Sequence, residues 1–496
     1  MIDRLLADEA DTREAGNDIA AALKKGDALA LHGDLGAGKT TLARAIIRSL
    51  AGDAGLEVPS PTFTLVQTYP GRLPVAHFDL YRIGDAEEMR ELGLDEALAE
   101  GAALVEWPDR AGLYLPETTI HVKLLEEGSG RRMTMDGPEA VIARFQRAFD
   151  IRRFLDVSGR MRATRGYLAG DASARSYETI DCAGGRELLM NAPRQPDGPP
   201  IRDGKPYSQI AHLAESVLPF VAVDRALRAN GFCAPEIRAA DLDAGLLLIE
   251  DLGRDVVLAA DGSPIAARYL ASAEMLAEMH GRKWSTDIAM ADRSIYHVPA
   301  YDREAMAIET ELLIDWYLPF AAGRPASDTE RQAFQAAWQA LFDRLETTEK
   351  SLVLRDFHSP NIIWRDGETG RDRVGIIDFQ DALSGPSAYD VASLSMDARV
   401  TISEALETDI RKAYVEARGM GFDRTAFDEA YAIMAAQRNS KIIGIFVRLD
   451  MRDGKPQYLK HLPRIRDYLE RATRHEAMAN LRSLYRSMRV LPEGER

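Results

Sequence analysis

Apolar positions in the first quarter of the chain fall into short runs separated by amphipathic stretches. The runs DALALHG (27–33), FTLVQTY (63–69), PVAHFDLY (74–81), AALVEWP (102–108) and TIHVKLL (119–125) predict strands. Between the first two lies TLARAIIRSLAG, where Leu42, Ala45, Ile46, Ser49 and Leu50 keep helical spacing. Strand and helix alternating in this way predict an α/β sheet domain. The Gly-rich, charged segment Glu126–Pro138 predicts a last strand and a turn. From Val141 to Leu155 the spacing is helical again, and a second unit opens there. It holds a strand-rich patch (Ser176–Met190, Leu246–Ile249) and then helical patterns over Ala271–His280, Arg303–Leu318 and Thr329–Leu345. A loop-and-strand cluster from Leu352 to Ile377 follows, and helices run to the end. Asn191–Pro206, with five prolines, predicts a loop. The expected division is therefore 1–145, an α/β domain, and 146–496, a small mixed lobe followed by a large helical one.

Composition narrows the functional classes. A chain of 496 residues exceeds one ordinary core, and 46% hydrophobic with 28% charged residues is a folded, globular balance. The net charge of −16 argues against a nucleic-acid grip over the whole surface. One local basic patch exists, since Gln437–Arg496 carries 14 Lys+Arg against 7 Asp+Glu. There Arg464, Arg471, Arg474 and Arg482 interleave with Leu462, Ile465, Leu469 and Leu481, the spacing of a solvated helical face; contact with tRNA or an anionic substrate is the alternative. Two cysteines, Cys182 and Cys233, make neither a disulfide framework nor a zinc site. The N-terminus lacks the basic start and apolar stretch of a secretory signal, and no run of about 18 apolar residues occurs. A cytoplasmic protein with no membrane contact is the expectation.

Gly33-Asp34-Leu35-Gly36-Ala37-Gly38-Lys39-Thr40 fits the pattern G-x-x-x-x-G-K-S/T. Glycines allow the backbone to curl and aim successive N–H groups at phosphate oxygens. Gly33, Gly36, Gly38, Lys39, Thr40 and Thr41 form the expected cradle for a nucleotide, with Lys39 reaching the β- and γ-phosphates and Thr40 offering its hydroxyl to Mg²⁺. The loop follows a buried strand and opens a helix, whose N-terminus favours anions. A carboxylate near the metal has three candidates at predicted strand ends: Asp79, Glu106 and Asp109. Glu106 ends the apolar run Ala102–Val105, where an acid on the Mg²⁺ side belongs. No guanine-reading Asn/Thr-Lys-x-Asp motif follows, which favours ATP.

GDLGAGKTTLAR, VPSPTFTLVQTY, HFDLYR and LVEWPDR, in that order, resemble the TsaE (YjeE) ATPases over about residues 1–135. That resemblance implies an ATPase subunit of the bacterial machinery that places threonylcarbamoyl on adenosine in tRNA, working by docking on partner subunits. It further implies that Thr40 and Glu106 hold Mg²⁺ and Lys39 the phosphates. Thr62 would lie in a switch-like loop near the γ-phosphate, Asp79 would assist hydrolysis, and Trp107 would lie beside the nucleotide.

A second phosphate chemistry is written further on. Asp356 and Asn361 in LRDFHSPN have the D-x-x-x-x-N spacing of a kinase catalytic loop, and Asp378 in GIIDFQD follows a buried strand. Phosphoryl transfer needs an acid residue to accept the hydroxyl proton and oxygens to hold Mg²⁺. Asp356 suits the first role, Asn361 and Asp378 the second. The whole pattern, LVLRDFHSPNIIW to GIIDFQDALSGPSAYDVASL with GDASARSY, LLIEDLG and RLDMRDGKPQYL, resembles the aminoglycoside-phosphotransferase-like kinases over roughly 146–496. Within them it is most similar to the AmgK group, anomeric kinases of N-acetylmuramate and N-acetylglucosamine. The resemblance implies a bilobal protein-kinase-like α+β fold, an amino-sugar substrate, and ATP near the hinge, with Ser173, Arg175 and Glu250 toward the nucleotide.

This sequence departs from the general kinase pattern. Leu354 stands where the loop histidine is usual, and His358 follows the aspartate instead. GDASARS has one glycine, and no lysine follows in ELLMNAP, which leaves Arg175 as a candidate for the α- and β-phosphates. Trp316 and Tyr317 suit either a sugar platform or a core aromatic pair. Asp390 suits orienting the catalytic loop, and the histidines suit structural roles. The rival readings are a kinase for another small hydroxyl substrate (aminoglycoside, choline or homoserine) and a first half acting only as a nucleotide-switched binding module.

Overall fold

The computed structural model describes residues 1–84, 86–168, 175–182 and 184–492. They pack as two compact units, Met1–Asn191 and Ala192–Arg496.

The first unit is built on a seven-stranded sheet. In chain order its elements are β1 (Ile2–Leu6), α1 (Glu9–Ala22), β2 (Ala28–His32), α2 (Lys39–Ala51), β3 (Val66–Tyr69), β4 (Val75–Asp79), α3 (Leu94–Glu100), β5 (Ala102–Glu106), β6 (Ile120–Glu127) and β7 (Gly130–Asp136). The sheet order is β1-β7-β6-β2-β5-β4-β3. The β2–β5, β2–β6 and β4–β5 pairs are parallel and the outer pairs antiparallel, so the sheet is mixed. Parallel strands are covered on both faces, which is why β2 and β5 are apolar almost throughout. Register does the functional work. Leu31 pairs with Glu106 and Asp79 with Glu106, so the phosphate-binding loop and both acids emerge at one sheet edge.

β1 and α1 are elements that the hydrophobic pattern did not announce. β1 buries only its ends, Ile2 and Leu6, and α1 packs through small residues. Gly16 lies where a Cβ would come within 2.5 Å of the Cβ of Ala45 on α2, so the helices meet closely without large side chains. A stripe of Ala and Gly carries little periodic signal. Asp8 caps α1 by accepting from the Asp11 N–H at 2.8 Å.

The first compact unit continues past the sheet. α4 (Glu139–Val157) leads to an antiparallel meander of β8 (Thr164–Leu168), β9 (Ser176–Cys182) and β10 (Gly185–Asn191). A buried charge cluster fastens this segment to α1. Asp18, 1% exposed, accepts from Arg152 Nη2 at 3.1 Å and Arg165 Nη1 at 2.8 Å, and Arg165 also pairs with Glu178 at 2.6 Å. Packing therefore groups α4 and the meander with the sheet, beyond the sequence division at 145/146.

The second unit is mostly helical. It holds the helix Leu218–Ala229, a hairpin of Ile237–Asp241 with Leu246–Glu250, and the helix Ala266–His280. Among the described residues three antiparallel ribbons follow: Asp287–Ala289 with Ile295–His297, Ile362–Trp364 with Val374–Ile376, and Lys350–Val353 with Leu383–Pro386. The buried helix Arg424–Met451 packs against Arg303–Leu312, Ala388–Ser395 and Leu462–Ala472. Two expectations are corrected. Inside Asn191–Pro206, Pro200–Arg202 pairs with Lys205–Pro206 as a small ribbon. Arg303–Leu318 is not one α-helix: it passes through a π turn at Leu313–Tyr317. Pro319, without an N–H, follows that turn, and Gly444 presses on it, since a Cβ there would lie 2.2 Å from the Leu312 oxygen.

Removing Asp18 would leave two buried guanidinium groups without their shared carboxylate. Asp18→Ala is expected to cost about 3–5 kcal/mol, read as a lowered urea midpoint. An unchanged midpoint would contradict the role of this cluster.

Candidate active sites

The first site forms where β2 runs into α2. Gly33, Gly36 and Gly38 all have positive φ (146°, 82° and 104°). A Cβ on Gly33 would lie 2.6 Å from the Leu124 oxygen, so no other residue fits that turn. Lys39 is 5% exposed and donates to the Gly33 and Asp34 carbonyls at 2.8 and 3.0 Å. Its ammonium also sits 3.8 Å from the centre of the Trp107 ring. Burial lowers the Lys39 pKa, against the raising pull of Glu106 and Asp79. Arg131 of β7 braces the loop from outside, donating to the Ala37 oxygen at 3.2 Å and the Gly36 oxygen at 3.3 Å.

The acids at the sheet edge are each held. Thr40 Oγ1 donates to Glu106 Oε2 at 3.0 Å, and His77 Nε2 lies 2.9 Å from Glu106 Oε1. Asp79 accepts from Ser60 (2.5 Å), Thr62 (2.7 Å) and the Tyr81 N–H (3.0 Å). Burial raises its pKa, but these hydrogen bonds outweigh burial and keep it below the usual carboxylate range. Trp107 adopts φ 57°, an uncommon backbone for an aromatic residue, and its ring packs against Tyr81. Asp109 is exposed, 3.5 Å from His32 Nδ1, and stands apart from this set. Thr41, half-buried, occupies the first turn of α2.

The second site lies in the Ala192–Arg496 unit. The ribbon Ile362–Trp364/Val374–Ile376 brings Asn361, just before it, beside Asp378, just after it. Asn361 Nδ2 donates to Asp378 Oδ2 at 3.2 Å and to the Asp356 carbonyl at 2.9 Å; Gln380 Nε2 donates to Asp378 Oδ1 at 3.0 Å. Arg355 and Asp378 both have positive φ (71° and 61°), so the loop is strained at the residues that flank and form the cluster. Asp390 holds the loop by accepting the Leu354 and Arg355 N–H groups at 2.7 and 2.9 Å. Beneath it Glu309 gathers Arg355, Lys441 (2.9 Å) and Gln437 (2.9 Å). Burial raises the half-buried Asp356, and the charges of Lys441, His358, Arg355 and Arg438 more than offset it, so its pKa ends below the ordinary value.

The donors suit Mg²⁺ chemistry. Each site pairs one carboxylate with a neutral polar side chain that carries an oxygen: Glu106 accepts from Thr40 Oγ1, and Asp378 accepts from the Nδ2 of Asn361, whose amide also holds Oδ1. Mg²⁺ prefers such sparse oxygen ligation and completes its shell with water and substrate phosphates. Among the described residues no three His, Cys, Asp or Glu side chains gather as a metal cage.

Sequence reasoning missed His77, Ser60, Arg131, Glu309 and Lys441. His77 and Ser60 lie inside the segments HFDLYR and VPSPTFTLVQTY but were given no role. Arg131, Glu309 and Lys441 belong to no motif and reach the sites only through tertiary packing. Ser173 lies outside the described residues, and Arg175 is half-buried immediately before β9. Glu250 accepts from the Glu236 N–H at 3.1 Å, tying off its hairpin. Tyr317 is buried and Trp316 half-buried. The basic C-terminal patch is largely engaged within the chain. Arg471 is buried on Glu407 (2.7 Å), Arg474 pairs with Glu404 (2.9 Å), and Arg464 and Arg482 donate to carbonyls.

Two family models match. Residues 6–134 match the threonylcarbamoyl adenosine biosynthesis protein TsaE, and residues 167–429 match the phosphotransferase enzyme family. An N-acetylmuramate/N-acetylglucosamine kinase of Caulobacter vibrioides is 33% identical over 348 residues, 67% of this chain and 94% of that one. Its Neisseria meningitidis counterpart is 32% identical, over 63% of this chain and 86% of its own. A tRNA threonylcarbamoyladenosine biosynthesis protein TsaE of Rickettsia bellii is 40% identical over 121 residues, 24% of this chain and 83% of that protein. No described helix is long and apolar enough to cross a membrane.

One buried acid is not compensated. Asp224, on Leu218–Ala229, is 4% exposed and its Oδ1 has no hydrogen-bond partner. Burial, opposed by Arg228 and reinforced by Glu236 and Glu250, pushes its pKa up to about 7. The folded state then holds a proton that the unfolded chain has released, so stability falls as pH rises from the normal carboxylate range to about 7, and is level above. Asp224→Asn is expected to raise the melting temperature at pH 8 and to change it little at pH 4. A gain confined to low pH would contradict this.

Proposed function

We propose two ATP-driven functions for a chain that belongs both to the TsaE family and to the phosphotransferase enzyme family. The first is the ATPase of tRNA threonylcarbamoylation, acting with the other subunits of that machinery and meeting tRNA through them. The second is a kinase that phosphorylates the anomeric hydroxyl of N-acetylmuramate or N-acetylglucosamine to the sugar 1-phosphate, in cell-wall recycling. The functional division stays near 145/146, supported by matched spans that stop at 134 and resume at 167. A cytoplasmic location follows from two reactions that consume ATP.

The cluster Asp356–Asn361–Asp378 carries the kinase reading. Phosphoryl transfer is mainly positioning and charge neutralisation. Asp356, kept ionised by the surrounding cations, accepts the proton of the attacking hydroxyl. Asp390 fixes the loop that carries it, and Gln380 orients the Asp378 carboxylate. Mg²⁺ would be held by Asn361 and Asp378, and in the first unit by Thr40 and Glu106; when bound it neutralises phosphate charge. In the first unit Lys39 would exchange its loop carbonyls for the β- and γ-phosphates. Asp79 would orient the attacking water, and Trp107 would border the nucleotide. Ser173, Arg175 and Glu250 are the proposed ATP contacts of the kinase.

One observation also favours a switching role for the first unit. Asp79 is bonded to Ser60 and Thr62, and beside them Phe63 is 81% exposed. A γ-phosphate competing for Thr62 would move an apolar residue suited to partner docking.

The two residue sets share no member. Lys39→Ala is expected to abolish nucleotide binding at the first site and leave sugar phosphorylation within a few fold; loss of both in a folded variant would contradict separate sites. Glu106→Gln should reduce hydrolysis more than nucleotide binding, since it removes a metal-side charge and leaves the cradle. Asp356→Asn should keep ATP affinity while the rate falls roughly 10²–10⁴-fold, toward the lower end because an anomeric hydroxyl is relatively acidic. Asp378→Asn should be the more damaging. Phosphorus NMR of the product with N-acetylglucosamine decides the acceptor: a signal on the 6-hydroxyl, or turnover only with aminoglycosides, would contradict the anomeric assignment.

A further inference from the structure

A cleft of about 750 Å³ opens in the first unit between α1, α2 and β8. It is separate from the residues of the two candidate active sites, apart from Thr41 at its rim. Its walls carry five arginines (Arg13, Arg44, Arg48, Arg72 and Arg165) against three carboxylates, in a chain whose net charge is −16. The carboxylates are already engaged. Glu9 pairs with Arg13 at 2.5 Å, Glu178 pairs with Arg165 at 2.6 Å, and Asp53 accepts the Gly55 N–H at 2.8 Å.

Arg44, Arg48 and Arg72 remain, and among the described residues none has a carboxylate at ion-pair distance. Arg44 donates Nε to the Val58 oxygen at 3.1 Å and Arg48 donates Nε to the Leu56 oxygen at 2.9 Å. Arg72 donates to the Ala20 oxygen and lies over the Tyr167 ring, 5.1 Å from its centre. These carbonyl bonds hold the guanidinium groups in place and leave their charge unmet. Burial lowers the Arg72 pKa, against the raising pull of Tyr167 and Glu178, as expected of a partly desolvated cation lacking its anion. The buried Tyr69 hydroxyl, within electrostatic range of Arg44, has no hydrogen-bond partner.

We propose that this cleft binds a small phosphomonoester, its phosphate held by Arg44, Arg48 and Arg72 and its organic part against Tyr167. Guanidinium forks match phosphate oxygens in pairs. The volume is that of a small-molecule site, and the acidity of the whole chain disfavours a polynucleotide in its place. The occupant would bridge α2, whose first turn carries Lys39 and Thr40, to β8, so it is positioned to sense or bias the first active site. Two sources supply this chemistry: a sugar phosphate, such as the product of the proposed kinase, or a nucleoside monophosphate. Only the sugar arm rests on the kinase reading.

The test is calorimetric titration of the full chain with both nucleotide sites saturated by a non-hydrolysable ATP analogue and Mg²⁺. The probes are inorganic phosphate, N-acetylglucosamine 1-phosphate and AMP. One equivalent of at least one ester is expected to bind. Its affinity should fall at least about tenfold in Arg44→Met/Arg48→Met, the loss of a charge-assisted hydrogen bond. Arg72→Met should do the same, with melting temperature and sugar-kinase KM retained in both. AMP binding without sugar-ester binding supports the site and assigns its source. No heat from any ester, or binding that all three arginines can lose unchanged, overturns the proposal. So does tight arginine-dependent displacement of the ester by tRNA, which would make the cleft a polynucleotide surface.

Discussion

A carboxylate taken out of water must have its charge and lone pairs met within the protein, and the working parts of this chain are arranged around that demand. Asp18 is met by Arg152 and Arg165, which fastens the β8–β10 segment to α1. Glu309 is met by Arg355, Lys441 and Gln437, and Asp390 by two backbone N–H groups. Those two acids hold Arg355 at φ 71°, a conformation the loop would not keep unaided. Asp356 is thereby set in place, in a field of cations that keeps it ionised. Where compensation is missing, at Asp224, the same physics shifts the proton equilibrium instead.

On the proposed function, the chain would meet one chemical problem, the handling of ATP phosphates, in two ways. In the first unit the cradle is backbone: three glycines at positive φ, a helix N-terminus and one lysine, with the acids supplied by neighbouring parallel strands. In the second the acids sit on strained loops around a short ribbon, and no comparable cradle is seen among the described residues. The first arrangement is prepared by sheet register, the second by a buried polar network under the catalytic loop. On the proposed function, substitutions in that network would act on phosphoryl transfer through position, several residues away from the reacting atoms.

Both sites were legible in the sequence to the extent that local order writes them. The phosphate loop is contiguous, so its strand, turn and helix declare themselves together. The Asp356, Asn361 and Asp378 set is legible because a short ribbon folds nearby residues onto one another. Arg131, Glu309 and Lys441 were not legible, because each is brought in by a strand or helix distant in the chain. His77, on the strand of Asp79, showed no role because its partner Glu106 comes from a neighbouring strand. β1 and α1 escaped for another reason: an edge strand buries two residues, and a helix packed through Gly16 and alanines shows no large apolar stripe. The π turn at Leu313–Tyr317 arises where Gly444 lets a second helix press on the first, information that no local window contains.

The central claim is that one chain carries two complete and separate ATP sites. Equilibrium titration of the intact protein with Mg²⁺ and a non-hydrolysable ATP analogue tests it most directly. The account predicts two equivalents per chain, one of them lost when Asn361 and Asp378 are both replaced by alanine. A single equivalent in the intact protein, or loss of both in that double variant while it remains folded, would contradict it.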